Sequence, residues 1–471
     1  MKRILAMTLC IALLLAAAAC GTGESPAGPA APAASPGASS PAQSKPVPTE
    51  EPGRAEPAAP VLELARAVYP EMAPYPEEMQ GEENAWQAWR DGLSAQRDQA
   101  GNWAEGLEPW LKACLTEFLS GEENRIIAPM NLYMALAMLA ELTEGESRAQ
   151  LLDLLGEEDM DTLRNRAKAL WNASYRDDGI VTRRLAASLW LNERIGFVRE
   201  TMDRLAETYY ASSFRGTMGS PEYDRALQDW LNEQTGDLLK EQASQVHMDP
   251  DTVLALAATI YFKAAWHSKF SRDATLPMTF HAVDGDRETP FLRKSFTGRW
   301  YWGEGFSAVP LELEDGVMWF ILPEEGKTPE DLLSGEALAF LLERDRLGWE
   351  QSKALTIHFS VPRFDLAAET ELVPGLRHLG VRDIFDPQVS DFTPMTGDVE
   401  QICVSRATHA ARVTIDEDGC TGAAFTVIMP MSAAAVFPRD EVEFTLDRPF
   451  LFLVTDTQGL PQFAGAVNTV N

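Results

Sequence analysis

The chain has 471 residues, of which 45% are hydrophobic and 24% charged, so it can bury the core of one large domain. Its 40 Lys and Arg residues stand against 71 Asp and Glu residues, which gives a formal net charge of −31. Because phosphate binding needs clustered positive charge, this balance argues against nucleic acid as a partner and against electrostatic docking on anionic lipid. With only six His and five Cys, we expect no metal and no cofactor. The same composition excludes a disordered chain and a multi-span membrane protein.

The N-terminal segment 1–19 has the pattern of an export signal. Lys2 and Arg3 precede an apolar run that ends in four alanines, and Cys20 follows directly. The run is too short for a permanent membrane span, so it predicts a cleaved signal peptide over 1–19. Cys20 resembles the lipid-modified first residue of a bacterial lipoprotein, although Ala17 stands where such signals prefer Leu. We therefore expect an exported chain, lipid-anchored at the bacterial cell surface through Cys20, with ordinary secretion as the alternative.

A tether is expected after the signal. Residues 21–60 hold ten of the 30 prolines, and Ala, Ser and Gly fill most of the remaining positions. Such a stretch buries nothing and extends up to ~3.1 Å per residue, on the order of 100 Å in total. We assign 20–60 to this tether and 61–471 to the globular domain, although no role emerges for 61–106.

Apolar patterns within the globular domain predict helices first and strands later. Helical spacing predicts helices over 110–119, 132–142, 147–155, 198–210 and 226–239, with Asn131 as a cap and Gly156 as a terminator. Strands are predicted over 185–191, 253–262 and 355–361, the second of them central in a sheet because it is apolar on both faces. Alternation around Glu314-Asp315-Gly316 predicts a β-hairpin with an Asp-Gly turn. This order indicates an α+β domain.

The sequence lacks the common catalytic motifs. It contains no G-x-S-x-G elbow, H-E-x-x-H pair, Walker A loop or dinucleotide fingerprint. No histidine lies three or four residues from another, and a lone histidine is more often structural than a ligand. We therefore expect no enzyme, and a hydrolase is the least favoured alternative.

An uncharged segment stands out near the C-terminal end. No charge occurs from Gly419 to Pro438, in a chain that is otherwise a quarter charged. A buried strand would not normally carry so many Ala and Gly residues, which pack poorly in sheets. The segment is typical of an exposed loop whose alternate residues are small enough to enter a sheet later.

Several segments together follow the pattern of one protein family. Asp447-Arg448-Pro449-Phe450 is similar to the C-terminal signature of the serpins, and residues 413–419 are similar to the strand that feeds the serpin reactive loop. Further matches, in family order, are 126–131, 187–191, 260–263 with Trp266, and 361–364. The resemblance runs from about residue 107 to the C-terminus, three quarters of the chain. It implies an α+β fold of three β-sheets with eight to nine helices and an exposed reactive loop.

The resemblance also implies a mechanism. A target serine protease would cut the loop and form an acyl-enzyme, and the freed strand would insert into the main sheet in a covalent complex with a monomeric inhibitor. Its sheet-opening region would contain His409 and Trp266. Cys420 and Gly422 replace the usual Thr and Ala, so a non-inhibitory serpin that is cleaved without trapping is the alternative, and a solute-binding lipoprotein is a further one. The hinge of the loop would comprise Glu417, Gly419, Cys420, Thr421, Gly422, Ala423 and Ala424.

Family spacing implies the position of the reactive bond. It lies about fourteen residues after Gly419, which gives Ala433–Ala434. The bond Met431–Ser432 resembles that of an elastase inhibitor of the family and is the alternative. Either bond offers a small or unbranched apolar residue, which suits an elastase-like or subtilisin-like protease.

Overall fold

The computed structural model describes residues 8–19, 60–76, 83–102, 104–179, 181–343, 345–418 and 440–470. The predicted lipidation site Cys20 and nearly all of the predicted tether lie outside these residues. Within the described residues the α-helices are α1 (Glu83–Ala100), α2 (Glu108–Phe118), α3 (Pro129–Glu141), α4 (Gly145–Leu155), α5 (Met160–Ser174), α6 (Arg199–Tyr209), α7 (Pro221–Thr235), α8 (Lys240–Ala243), α9 (Gly335–Leu342) and α10 (Val373–His378). The strands are β1 (Thr8–Ala19), β2 (Leu62–Ala65), β3 (Arg125–Ile127), β4 (Arg176–Asp177), β5 (Thr182–Asn192), β6 (Ala211–Gly216), β7 (Thr252–Lys263), β8 (Leu276–Ala282), β9 (Gly285–Gly303), β10 (Phe306–Leu313), β11 (Gly316–Pro323), β12 (Ser352–Pro362), β13 (Phe364–Glu371), β14 (Ile402–Ile415), β15 (Glu441–Thr445), β16 (Phe450–Thr455) and β17 (Pro461–Val467).

Helix α3 forms the centre of the core, but it does not begin as the sequence predicts. Its N-cap is Ala128, and Pro129 occupies the first turn, where a missing N–H costs nothing. Asn131 lies inside the helix and donates from Nδ2 to the carbonyl of Ala258 at 3.3 Å, so its prediction as a cap is wrong. The helix is buried on every face and contacts both β7 and β17. The prediction that Gly156 ends α4 is confirmed by its left-handed φ of 73°.

The main sheet has the strand order β13-β14-β1-β7-β5-β6-β2, with β4 paired to β5. Strand β7 has neighbours on both sides, which confirms the prediction that it is central. Strand β1 lies between β14 and β7 and is antiparallel to both. Thus residues 8–19, which the sequence predicts to be part of an export signal, form a strand in the middle of this sheet. The export prediction itself stays a prediction.

The other strands form two sheets that share the long strand β9. Its first half pairs with β8, its second half pairs with β12, and its last residues pair with β10. The combined strand order is β15-β12-β9-β10-β11-β16-β17-β3. With the main sheet, these are the three sheets of the expected fold. The described residues contain ten α-helices, and the one in the segment that the sequence left unassigned is α1.

Strands β10 and β11 form the predicted hairpin, with a turn shifted by one residue. Leu313 pairs with Gly316, so the turn residues are Glu314 and Asp315 rather than Asp315 and Gly316. Gly316 has a φ of 113°, and a Cβ there would collide with the carbonyl oxygen of Thr455. The glycine is needed because the backbone of the neighbouring strand approaches it closely.

The segment before α2 packs on the domain as an extension. Strand β2 adds to the edge strand β6, and Tyr69 stacks on Trp171 at 5.9 Å between ring centroids. In α1, Trp89 donates from Nε1 to Asp178 at 3.0 Å. These contacts place residues 61–76 and 83–100 on the folded domain rather than on the tether. Among the described residues no helix is long and apolar enough to cross a membrane.

Candidate functional site

The chain that leaves β14 is held by the segment after β7. Trp266 is buried and donates from Nε1 to the carbonyl of Asp416 at 2.9 Å. The backbone N–H of Phe270 donates to the carbonyl of Glu417 at 3.0 Å, and the Thr275 hydroxyl donates to the Glu417 carboxylate at 2.8 Å. We call these five residues the hinge anchor. They fix the chain direction just before the uncharged segment begins.

The next residue is held more weakly. Asp418 forms ion pairs with Arg272 at 2.5 Å and Lys269 at 3.5 Å. The hydrogen bond from Arg272 to Asp418 raises the pKa of that guanidinium, which is exposed. Exposed ion pairs contribute little because water screens them. Restraint on the chain therefore decreases from Asp416 outward.

His409 lies on β14 beside β1 and is fully buried. Its Nε2 accepts a hydrogen bond from the backbone N–H of Ala128 at 3.3 Å, and its Nδ1 has no partner among the described residues. Burial lowers the pKa of His409 to about 3, so the ring is neutral. Thr259 on β7, opposite the same part of β1, also has a buried hydroxyl without a partner in the described part of the chain. The two strands that flank β1 thus carry unsatisfied polar groups.

The gap between β7 and β14, which β1 fills, has a defined direction and length. Both strands are antiparallel to β1, so they run parallel to each other. A chain that leaves β14 at Ile415 and turns back would enter this gap in the same direction as β1. The pairing of β1 with β14 runs from Leu9 to Ala19, which are 11 residues or roughly 36 Å of strand at ~3.3 Å per residue. We call this position the slot.

The remaining predicted site residues lie outside the described residues. These are the hinge residues from Gly419 to Ala424, both candidate reactive bonds and Cys20. Cys403, on β14, is disulfide-bonded, and Cys114 is a buried free thiol. In the described part of the chain, no group of three His, Cys, Asp or Glu residues could hold a metal ion.

Sequence reasoning missed part of the hinge anchor. Phe270 and Thr275 lie between β7 and β8, in a stretch without hydrophobic periodicity. A usable signal was the pair of cations Lys269 and Arg272, which complements the acidic run 416–418. Sequence reasoning also missed that residues 8–19 form a strand, because a short apolar run suits a signal peptide and a buried strand equally well.

Comparisons with known proteins agree with this architecture. The family model described as "Serpin (serine protease inhibitor)" matches residues 114–470. Putative serpin-Z6C of Oryza sativa is 27% identical over 395 residues, covering 77% of this chain and 94% of that protein. Leukocyte elastase inhibitor of Homo sapiens is 28% identical over 348 residues, covering 70% of this chain and 89% of that protein.

Solved structures show the same fold. The thermophilic serpin tengpin, in its native state, superposes with a TM-score of 0.65 at 20% identity, over 86% of this chain and all of that one. The extension and β1 precede the residues that the family model matches. Because the family acts by inhibiting serine proteases, the chain is not an enzyme. With a family match over most of its length, the chain belongs to the serpin family.

Proposed function

We propose that this protein inhibits an elastase-like or subtilisin-like serine protease by suicide-substrate trapping. The observation that carries the proposal is the slot, because it holds a full-length strand hydrogen-bonded on both sides. A loop that starts at the hinge anchor has the correct direction to occupy the same position. Strand addition of this kind gains main-chain hydrogen bonds along its whole length.

The chemistry belongs to the protease. Its serine oxygen attacks the carbonyl carbon of the reactive bond, the C–N bond breaks, and an ester joins the protease to the new C-terminus. The proton passes through the protease histidine to the leaving amine of the downstream fragment. This chain supplies the loop and the slot, and insertion would carry the ester-linked protease away before water hydrolyses it.

The length of the slot fits the proposed reactive bond. Cleavage after Ala433 frees the segment 420–433 beyond Gly419, and cleavage after Met431 frees 420–431. Either segment is longer than the stretch from Leu9 to Ala19 over which β1 pairs with β14. Beyond Glu417, the described chain is held to the segment after β7 by the ion pairs of Asp418 with Arg272 and Lys269, so the freed strand has few contacts there to break.

The inward positions of the loop decide whether insertion can occur. Counting from Gly419, the side chains that enter the core are Cys420, Gly422, Ala424 and Thr426, all of them small and uncharged. An Arg at one of these positions would bring an unpaired charge into the core, at a cost of several kcal/mol. At an outward position the same Arg stays in water.

The test uses a chain that lacks residues 1–19. Mixed with an elastase-like protease, it should form a complex that survives boiling and migrates near the sum of the two masses. Ala424→Arg should be cleaved without a complex, whereas the matched outward variant Ala423→Arg should still trap. Mass spectrometry of the released fragment distinguishes Ala434 from Ser432 as its first residue. Cleavage of the parent chain without any complex would refute trapping and favour the non-inhibitory alternative.

We further propose that the protein acts outside the cell as a monomer, anchored through lipid on Cys20. The support is the signal pattern of 1–19 and the Pro-rich tether that follows it. Metabolic labelling with a radioactive fatty acid tests the anchor. A Cys20→Ser variant that still incorporates label would refute it.

A further inference from the structure

A lysine in the second half of β9 lies among aromatic rings rather than beside a carboxylate. Lys294 is half-buried, and its Nζ lies 4.6 Å from the ring centroid of Phe270 and 5.3 Å from that of Phe296. Phe359, its cross-strand partner on β12, is buried on the same face of the sheet. We call the three phenylalanines the ring enclosure. They come from three separate segments, so the enclosure is a product of the fold.

The Lys294 ammonium uses one of its three donors. Nζ donates to the backbone carbonyl of Ser268 at 2.9 Å. An ammonium carries three N–H groups, so the other two have no acceptor in the described part of the chain. The aromatic faces attract the cation, but the same rings displace the water that would hydrate it. The site therefore suits a neutral amine better than the protein surface does.

The charged groups on the elements that pack against Lys294 form their own pairs. These pairs are Lys269 and Arg272 with Asp418, His267 with Glu314, and His358 with Glu441. Burial lowers the pKa of Lys294 to about 8, and attraction to Glu312 on β10, which lies beyond ion-pair distance, opposes that shift only in part. A substantial fraction of this lysine is therefore an uncharged amine near neutral pH.

We propose that Lys294 is a modification site at which small aldehydes form a Schiff base with Nζ. The nitrogen lone pair attacks the aldehyde carbon, the hemiaminal loses water, and a C=N bond replaces two N–H bonds. No oxidant or reductant is needed, because the carbonyl oxygen leaves as water. The protonated product keeps one N–H for the carbonyl of Ser268 and keeps a positive charge near the rings. The ring enclosure favours a hydrocarbon aldehyde, whose body gains from burial against it.

The fraction of neutral amine sets the expected advantage over an exposed lysine. At pH 7.4 about a fifth of Lys294 is neutral, compared with about a thousandth of a lysine whose pKa is the ordinary ~10.4. An amine of lower pKa is also a weaker nucleophile, as is known for thiolates, and this offsets about one order of magnitude. We therefore expect Lys294 to react roughly ten-fold faster than an exposed lysine.

The first test is site-resolved labelling of the full chain with propanal and cyanoborohydride at pH 7.4. The reductant fixes each Schiff base as a secondary amine, and peptide mass spectrometry gives the labelling rate of each lysine. Lys168, which is exposed on α5, is the matched control. Labelling of Lys294 about ten-fold faster than Lys168 would support the proposal, and an equal or slower rate would overturn it. Lys294→Arg keeps the cation and should lose the label from that peptide, whereas label retained there would overturn the assignment.

The second test separates a reactive amine from a lysine that serves only in packing. In trace labelling with acetic anhydride, the rate at Lys294 should level off above about pH 8, whereas the rate at a lysine of ordinary pKa still rises at pH 10. Phe296→Thr removes one ring but keeps a residue that suits a strand, so water reaches Nζ. In this variant, propanal labelling at pH 7.4 should fall, and the levelling should move to a higher pH. A Lys294 profile that follows Lys168, or one that Phe296→Thr leaves unchanged, would overturn the proposal.

Discussion

Acidification should weaken the fold through His409. The pKa of this residue is about 3 in the folded chain, because burial disfavours its charged form, whereas an unfolded histidine titrates near ~6.5. Below pH ~6.5 the unfolded chain binds a proton that the folded chain does not, so the free energy of unfolding decreases as the pH falls. The slope is about 1.4 kcal/mol per pH unit between the two pKa values. Between pH 7 and pH 5 this residue should therefore account for a loss of about 2 kcal/mol.

The assay is urea unfolding of the full chain and of His409→Gln at pH 7 and pH 5. Other titrating groups act in both proteins, so the difference between the two pH effects isolates His409. Gln keeps an acceptor for the backbone N–H of Ala128. As a control, His267→Gln replaces an exposed histidine, so the comparison separates burial from the mere loss of an imidazole. If His409→Gln loses as much stability on acidification as the parent, protonation of His409 is not the cause of the loss, and the reasoning is refuted.

Three further predictions concern the sheet, the hairpin and the hinge anchor. A chain that keeps residues 1–19 should form no boil-resistant protease complex, because β1 fills the slot, and equal trapping with and without them on a denaturing gel would contradict this. Gly316→Ala should lower the urea midpoint much more than Gly285→Ala, because both residues have positive φ, costing about 1–3 kcal/mol, but only Gly316 has a carbonyl oxygen within reach of the new Cβ. Trp266→Phe should speed proteolysis of the loop by freeing the carbonyl it holds. Trp349→Phe removes a similar hydrogen bond, from the Trp349 indole to the carbonyl of Trp302, and should leave proteolysis of the loop unchanged. Equal proteolysis rates in the two variants would refute the anchoring role of Trp266.

The order of elements could be predicted from the sequence because burial and periodicity are local properties. The run that begins at Leu132 is long and apolar enough to predict a buried helix without knowledge of its neighbours. Its start could not be predicted, because the Asn131 side chain, which would suit a cap, instead reaches the carbonyl of Ala258, a residue 127 positions away. The hairpin turn shifted by one residue for a similar reason, since Gly316 is required by the neighbouring strand rather than by the turn.

In the candidate site, too, some residues could be predicted from the sequence and others could not. Trp266 and His409 were found because they belong to segments that resemble a family. The partners of Glu417 and Asp418 come from a stretch more than 140 residues earlier, and no local pattern connects the two.

The position of β1 in the sheet means that recognition of the export signal and completion of the fold compete for the same residues. If residues 1–19 direct export, the same residues cannot be displayed to a translocation machinery while they form the middle of a sheet. Leu13 pairs with Ala258 and His409, and most of the chain lies between Leu13 and the second of these partners. At about 5–20 residues per second, roughly 20–80 s of synthesis must pass before that partner exists. Residues 1–19 thus stay accessible during most of translation. A chain that has not engaged the translocation machinery by the end of synthesis would bury this signal in the sheet and lose the means of export.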